Sequence, residues 1–445
     1  MKTEIMHIGF DDTDSPRKGC TTYVAALLVE KLGKLGASFI DYPNLVRLNP
    51  NVPWKTRGNG ALCLRIRFDE NIEKTIKETV MATVEEQSDF DYGGTDPGVV
   101  FFEKRRIPSE VKTFAKNTIT GIVSLKDALK LIKKFGAEAI AFKKCRGIIG
   151  SLAAIGETLQ RDHTFEIIAY RVPENRGSKR RVDEASIFHM DNATAPYTFN
   201  NADYEKRRVI ITPRGPDPIL LGIRGESPEI VKKAFSMVKV LEPVERWTVF
   251  RTNHGTDAHL KKVRQLSQIK PHSPIIARGI VIGEPRLIPR RHVVFSIMDE
   301  STQVDCAAYE PTGSLSTIAR ELIAKDSVEV FGGARAASRE HPLTINLEKL
   351  RILKLAPKII CENPFCAKCG KRLKSMGKEK GFRCEGCGSR YLKLGKIEVK
   401  VKRELKKGLY IASTRSQRHL TKPFGRYGLE KRGQETRLIE EWHSP

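Results

Sequence analysis

Apolar residues fill Ile5–Phe10 almost without a break, the pattern of a strand buried on both faces, and the run ends abruptly in aspartates. From Tyr23 to Leu32 the apolar positions Val24, Leu27, Leu28 and Leu32 recur at helical spacing, with Thr21 or Thr22 placed as N-cap. Ala61–Phe68 alternates like a strand, and Val99–Phe102 is a short apolar run behind a turn containing Gly93, Gly94, Pro97 and Gly98. Leu125–Phe135 is amphipathic, and the glycine- and alanine-rich CRGIIGSLAAIG follows it. Strands and helices interleave, which predicts an α/β or α+β N-terminal third. Near Asp162 the pattern restarts with a strand over Phe165–Tyr170, a basic loop over Glu174–Arg181 and a strand over Val209–Thr212. PILLGIRGES then reads as strand and turn, and Ser227-Pro228 opens a helix over Pro228–Val238, so two βαβ-like units predict a ferredoxin-like α+β domain. From His272 the regime changes to five short strands, Ile275–Ile282, Val293–Ile297, Val304–Ala308, Val328–Phe331 and Ile345–Leu353. A helix over Ser314–Ala324 falls between the third and fourth, the order of an OB-fold barrel.

A length of 445 residues fits about three or more domains. The pattern divides the chain into 1–161, 162–271, 272–357, 358–395 and a basic tail, 396–445. No run reaches the ~18 apolar residues of a membrane span and no apolar leader is present, so a cytoplasmic protein with no membrane partner is expected. Net charge is +25, and from Cys366 to Pro445 there are 22 Lys and Arg against 8 Asp and Glu, a net +14. So local a surplus points to a polyanion partner, nucleic acid above all. Five of the nine cysteines are scattered, while Cys366, Cys369, Cys384 and Cys387 form C-x2-C-x14-C-x2-C. Two such turns aim four sulfurs at one point, a closed structural Zn²⁺ site. A barrel beside a basic zinc ribbon is suited to gripping nucleic acid.

The chemistry lies at the other end. In GFDDTDSPRKGCTTY, Asp11, Asp12 and Asp14 crowd the mouth of the first strand, and their mutual repulsion calls for a compensating cation such as Mg²⁺. Taken alone, the cluster fits an Asx-turn with helix capping equally well. Thr21 and Thr22 offer hydroxyls at a helix start. KTRGNGA sets Lys55 and Arg57 beside Gly58 and Gly60, and CRGIIG offers Arg146, Gly147 and Gly150, in each case cations next to backbone that a phosphate can approach. No G-x-x-x-x-G-K-[ST] loop occurs, so this is not a P-loop protein. Cys20 reads as a packed thiol, and His254, Asp257 and His259 read as a hydrogen-bonded loop rather than a second metal site. Asp257 and Glu226 are candidates, on charge sign alone, to pair with a cationic substrate. Two other classes compete with an enzyme of phosphoryl transfer: a non-enzymatic RNA- or single-strand-binding protein, which leaves the aspartates idle, and a metal-dependent nuclease, which lacks a convincing general base.

Taken in order, GFDDTDSPRKGCTTY, RLNPNVPWKTRGNGA, RGIIGSLAAIG, LLGIRGES, TNHGTDAHL and the late cysteine ribbon resemble the archaeal tRNA(Ile)-agmatinylcytidine synthetase family, over nearly the whole chain. The resemblance implies an ATP-dependent kinase-like N-terminal domain, a ferredoxin-like domain, an OB-fold and a zinc ribbon. It also implies ligation of agmatine to the base carbonyl carbon of the wobble cytidine in the isoleucine tRNA with anticodon CAU. The anticodon then pairs with AUA instead of AUG, and AMP and phosphate are released through a phosphorylated base. On the matching motifs, the kinase threonine that becomes phosphorylated falls on Thr21. Asp11, Asp12 and Asp14 would hold Mg²⁺ and the triphosphate, and Thr22, Lys55, Arg57, Gly58, Gly60, Arg146 and Gly147 would serve ATP binding. The target base has to leave its stack to reach such a site.

Overall fold

The computed structural model describes residues 3–433 and 437–444. The N-terminal part carries strands β1 (Thr3–Asp11), β2 (Ser38–Phe39), β3 (Asn44–Arg47), β4 (Gly60–Asp69), β5 (Gly98–Phe102) and β6 (Glu138–Ala141). Its helices are α1 (Thr21–Lys34), α2 (Glu73–Gln87), α3 (Ser109–Thr120), α4 (Leu125–Phe135) and α5 (Gly147–Gly156). The next part runs β7 (Thr164–Arg171), α6 (Glu184–Thr194), β8 (Thr198–Phe199), β9 (Ala202–Asp203), β10 (Arg208–Val209), β11 (Ile219–Gly225), α7 (Pro228–Met237) and β12 (Val244–Thr252). Both parts share one sheet of order β6-β5-β1-β4-β3-β12-β7-β11-β8, with β2 beside β4. Every pair in it is antiparallel except β3 with β12, which meet in parallel over Asn44–Arg251 and Leu45–Thr252.

Alternation in the strands feeds two cores. Met6, Ile8 and Phe10 of β1 and Leu62, Leu64 and Ile66 of β4 pack under α1 and α2, in a core continuous with Ile167, Val231 and Phe250 of the second part. The opposite face gives Ala61, Cys63, Val100 and Phe102 to α3, α4 and α5. Helix α4 has the bounds its periodicity predicts because both ends are sealed: the Ser124 side chain accepts from the Asp127 amide, and Gly136 closes the helix at φ 66°. Helix α1 differs from expectation at its start. Cys20, not a threonine, is its N-cap residue, because the Thr21 hydroxyl is turned to Thr13 at 3.0 Å and caps nothing. The strand expected over Val209–Thr212 pairs only at Arg208–Val209 and gives way before Pro213, which has no amide to continue a ladder.

The barrel comprises β13 (Lys261–Lys262), β14 (Pro274–Ile288), β15 (His292–Met298), β16 (Gln303–Ala308), α8 (Ser314–Arg320), β17 (Ser327–Arg335) and β18 (Thr344–Lys354). Pairing of β14 with both β15 and β17 closes it around Phe295, Ile297, Cys306, Leu315, Val330 and Leu350. A stalk of β19 (Lys358–Glu362) and a later strand leads to the ribbon, whose β20 (Lys374–Ser375), β21 (Phe382–Arg383) and β22 (Arg390–Tyr391) form a small sheet. The stalk's return strand is β23 (Ile397–Val401), and β24 (Gly408–Ile411) then joins the barrel against β18.

The segment 396–445 was expected as a basic tail, but the structure makes it a strap. After β24, Arg415 reaches Asp203 at 2.9 Å, and the Gly255 and Asp257 amides donate to the His419 and Leu420 carbonyls at 2.8 Å. Arg426, fully buried, grips Glu226 and, at 2.9 Å, Asp162. Trp442 packs against Phe39 and Tyr42 in the first core. Arg415, Lys422 and Arg426 of the tail are therefore paired inside the molecule.

Candidate active site

Strand β1 delivers Asp11 opposite Gly98 of β5, and the chain then turns sharply, with Asp12 at φ 61° and its amide donating to Asp11 Oδ1 at 2.7 Å. The Asp11 carboxylate lies flat on α5: a Cβ on Gly150 would come within 1.8 Å of its Oδ2. Asp12 accepts Arg146 Nη2 at 2.6 Å and Nε at 3.0 Å through one oxygen. Asp14 accepts Arg57 Nε at 2.7 Å and the Thr56 hydroxyl at 3.1 Å. Arg57 goes on to Asp217 at 3.0 Å and to the Gly19 carbonyl, while Lys55 Nζ donates to the Arg57 carbonyl at 2.8 Å. All three aspartates line one cleft of about 400 Å³ with Thr21, Thr22, Lys55, Arg57, Gly58, Gly60 and Arg146.

Electrostatics make the turn a demanding place for three carboxylates. Burial first, then the neighbouring Asp12 charge, holds the Asp11 carboxyl well above its usual range. Burial pushes Asp12 up to about 6 against the opposing pull of Arg146. A fourth carboxylate, Asp96, acts on Asp12 as well, and its buried Oδ1 has no hydrogen-bond partner among the described residues. Hard oxygen donors, crowded and incompletely matched, fit a divalent cation of the Mg²⁺ type. Sequence reading did not find Asp96, since it arrives from the loop before β5.

The glycines divide by role. Gly58 and Gly60 line the cleft, where a Cβ would sit 2.5 and 2.9 Å from Arg47 Nη1, so their openness admits that guanidinium. Gly147 lies off the lining: a Cβ there would be 2.4 Å from the Gly98 amide nitrogen, and its own amide donates to the Asp96 carbonyl at 3.0 Å. Its work is to bring α5 against β5.

The far wall comes from the second part of the sheet. Glu166 accepts Arg224 Nε at 3.1 Å and faces His254 at 3.0 Å. Burial would lift the Glu166 carboxyl, but Arg224, His254 and Arg47 hold it far below its usual range. Burial lowers His254 to about 3, and His419 of the strap stacks on it with ring centres 5.0 Å apart. Ile168, Ile210, Ile211 and Ile219 make an apolar stretch of this wall, and the half-exposed Trp54 and Ile122 stand at the mouth.

Glu226 and Asp257 are not in the cleft lining, and their assignment to a cationic substrate is withdrawn. Glu226 is held by Arg426 and Lys431, and Asp257 by the buried Lys349 at 2.5 Å and the Lys422 amide at 2.7 Å. His254 and His259 go to different carboxylates, Glu166 and Glu348, consistent with a hydrogen-bonded loop.

In the ribbon, Cys366, Cys369, Cys384 and Cys387 place their sulfurs within 4.8 Å of one another. Two matched turns do this: the amides of Gly370 and Gly388 donate to the Cys366 and Cys384 carbonyls at 2.9 and 3.0 Å, with both glycines at positive φ. Sulfur pairs at 3.3 and 3.5 Å approach the ~3.8 Å edge that tetrahedral Zn–S bonds of ~2.3 Å require.

Comparison with known proteins agrees along the chain. Residues 7–144 match the family described as the TiaS TCKD domain, 145–259 the TiaS FLD domain and 363–405 the TiaS C-terminal zinc ribbon domain. The isoleucine-tRNA 2-agmatinylcytidine synthetase TiaS of Methanocaldococcus jannaschii is 42% identical over 426 residues, covering 94% of this chain and 98% of its own. That of Staphylothermus marinus is 41% identical, covering 97% and 95%. Among solved structures, a complex of TiaS with its isoleucine tRNA and ATP superposes with a TM-score of 0.86 at 38% identity, covering 97% of this chain and 99% of that one. A complex of TiaS with the same tRNA, AMPCPP and agmatine gives 0.84 at 36% identity, with the same coverage.

Proposed function

The chain belongs to the isoleucine-tRNA 2-agmatinylcytidine synthetase family, and we propose that the cleft between its acidic turn and the second half of its sheet is where that reaction takes place. The protein is an ATP-dependent enzyme that joins agmatine to the wobble cytidine of its isoleucine tRNA. The carbonyl oxygen of cytosine is a poor leaving group. Transfer of a phosphoryl group from ATP onto it makes it leave as phosphate when the agmatine amine attacks the ring carbon.

Asp11, Asp12 and Asp14 are the residues that would hold Mg²⁺, which when bound neutralises charge on the transferred group. Arg57 and Arg146, now paired with Asp14 and Asp12, are in reach to exchange those partners for triphosphate oxygens, with Lys55 beside them. Thr21 offers its hydroxyl as phosphoryl acceptor at the start of α1. The isoleucine-rich stretch of the far wall suits the tetramethylene chain of agmatine. Strand order β12-β7-β11-β8, which is 4-1-3-2 in the βαββαβ unit, supports a ferredoxin-like second domain. Five closing strands with α8 between the third and fourth support an OB-fold, and the N-terminal part is read as kinase-like.

The observation that carries this reading is that Thr21, three carboxylates and two arginines line one cleft. Thr21→Ala and Asp12→Ala are expected to abolish incorporation of labelled agmatine into transcript tRNA in the presence of ATP, while tRNA affinity stays within about twofold. Full activity in either variant would reject the assignment; shortened RNA would indicate a nuclease.

A further inference from the structure

The cleft does not end at its strap wall. Arg415 lines the cleft on one side and, on the other, a second groove of about 720 Å³ cut between the barrel and the second part of the sheet. Three separate pieces of chain bring cations to this groove: Lys206 from the turn between β9 and β10, Arg291 from the turn between β14 and β15, and Arg320 from α8. None of these three has an ion-pair partner among the described residues, although their charges converge. Of the two acids in the groove, Glu205 lies 3.4 Å from Arg415, and Glu310 offsets one further charge, so the lining stays cationic.

The remaining lining has a consistent chemistry. Ser314, Thr317 and Arg320 follow one another at three-residue spacing along the exposed face of α8, two hydroxyls and a guanidinium in a row. Leu287, 60% exposed, adds an apolar side chain to the same groove. Hydroxyl and guanidinium donors along α8, with an exposed leucine in the same groove, match a phosphodiester backbone carrying its sugar.

We propose that this groove seats the backbone of the tRNA strand adjoining the target cytidine, so that the nucleotide next to it is turned through the Arg415 wall into the cleft. This rests on the tRNA-modifying reading above, and it adds what that reading leaves open: how a macromolecular strand is aimed at a cleft sized for one base and its co-substrates. Single-stranded recognition works this way, with backbone clamped on one surface while the base is taken by another.

The test uses the full-length, zinc-loaded protein and transcript tRNA. For Arg291→Ala/Arg320→Ala, the slope of log affinity against log salt is expected to flatten by about 0.7 for each phosphate contact removed, about 1.4 in all. The KM for tRNA is expected to rise about tenfold or more, while KM for agmatine and for ATP and kcat stay within about twofold. Arg291→Lys/Arg320→Lys, which keeps the charges, is expected to restore the slope. An unchanged slope and tRNA KM would overturn the proposal, as would a rise confined to the KM for agmatine. Wild-type protein that binds tRNA but attaches no agmatine would instead sink the reaction reading, and the salt slope would still decide the groove.

Discussion

At the residue scale the site depends on how closely α5 lies on β1. Gly150 has no side chain where Asp11 needs its carboxylate, and Gly150→Ala would put a methyl 1.8 Å from Asp11 Oδ2. The carboxylate has to move by an ångström or more, a displacement that costs about 10²-fold in rate where geometry carries catalysis. We expect kcat to fall by about that factor with unchanged tRNA affinity and unchanged circular dichroism, measured in the agmatine incorporation assay. Asp11, Asp12, Asp14, Thr21, Arg57 and Arg146 were legible because each stands in a short motif beside a strand or helix end. Asp96, Asp217, Glu166 and Arg224 were not: only sheet order brings the last three to the cleft and Asp96 up to Asp12, and sheet order is a long-range property. Glu226 and Asp257 misled because charge sign says nothing about which cation a carboxylate will meet, and Arg426 and Lys349 reach them first.

At the element scale the strap decides how the parts hold together. Arg426 is fully buried between Glu226 and Asp162 and also donates to the Gly255 carbonyl. Arg426→Gln would take from Glu226 and Asp162 the guanidinium they share, leaving Lys431 and Lys422 as their remaining cations, a loss of about 1–3 kcal/mol. Denaturant unfolding is expected to show the decrease, with the zinc ribbon still loaded, because among the described residues the ribbon's sheet pairs with no strand of the rest and is carried on the β19–β23 stalk. Elements with sealed ends, such as α4, and runs of clear alternation, such as β1 and β4, could be read from the chain. The strap could not, since it has neither period: it is a line of single anchors, each meaningful only when its partner is in place. Some basic residues that suggest a free tail in sequence, Arg415, Lys422 and Arg426 among them, are here internal cations, while Lys396, Lys402, Lys406 and Lys407 stay exposed along with Lys371, Lys378, Lys380 and Lys393 of the ribbon.

At the scale of the whole molecule, the barrel is locked to the loop after β12 and to the strap by adjacent residues of β18. Glu348 meets His259 at 3.1 Å and accepts the Thr421 hydroxyl at 2.8 Å, while Lys349 holds Asp257. Burial would raise the Glu348 carboxyl, but His259, Arg418 and the hydrogen bonds bring it down to about 2. A depressed carboxyl stabilises the fold above its unfolded value of 4.5, and that contribution, on the order of 3 kcal/mol, is lost as pH falls toward about 2. Glu348→Gln is therefore expected to flatten the fall in melting temperature between about pH 4.5 and pH 2, followed by calorimetry.

Strands β3 and β12 meet over only two residue pairs, yet the cleft has walls on both sides of that meeting. Lineages descending from such a protein inherit two separable pieces of business. A recombination that replaced everything from β7 to β12 would have to reproduce, beyond those two pairs, the core shared with Ile167, Val231 and Phe250 and the Arg251–Asp41 and Arg246–Glu30 ion pairs, and would bring a new far wall with it. The acid turn and Arg146 would pass through such an exchange intact, while Arg57 would keep Asp14 and lose Asp217. New far walls could thus be set against the same acidic turn by inheritance of a single block of sequence.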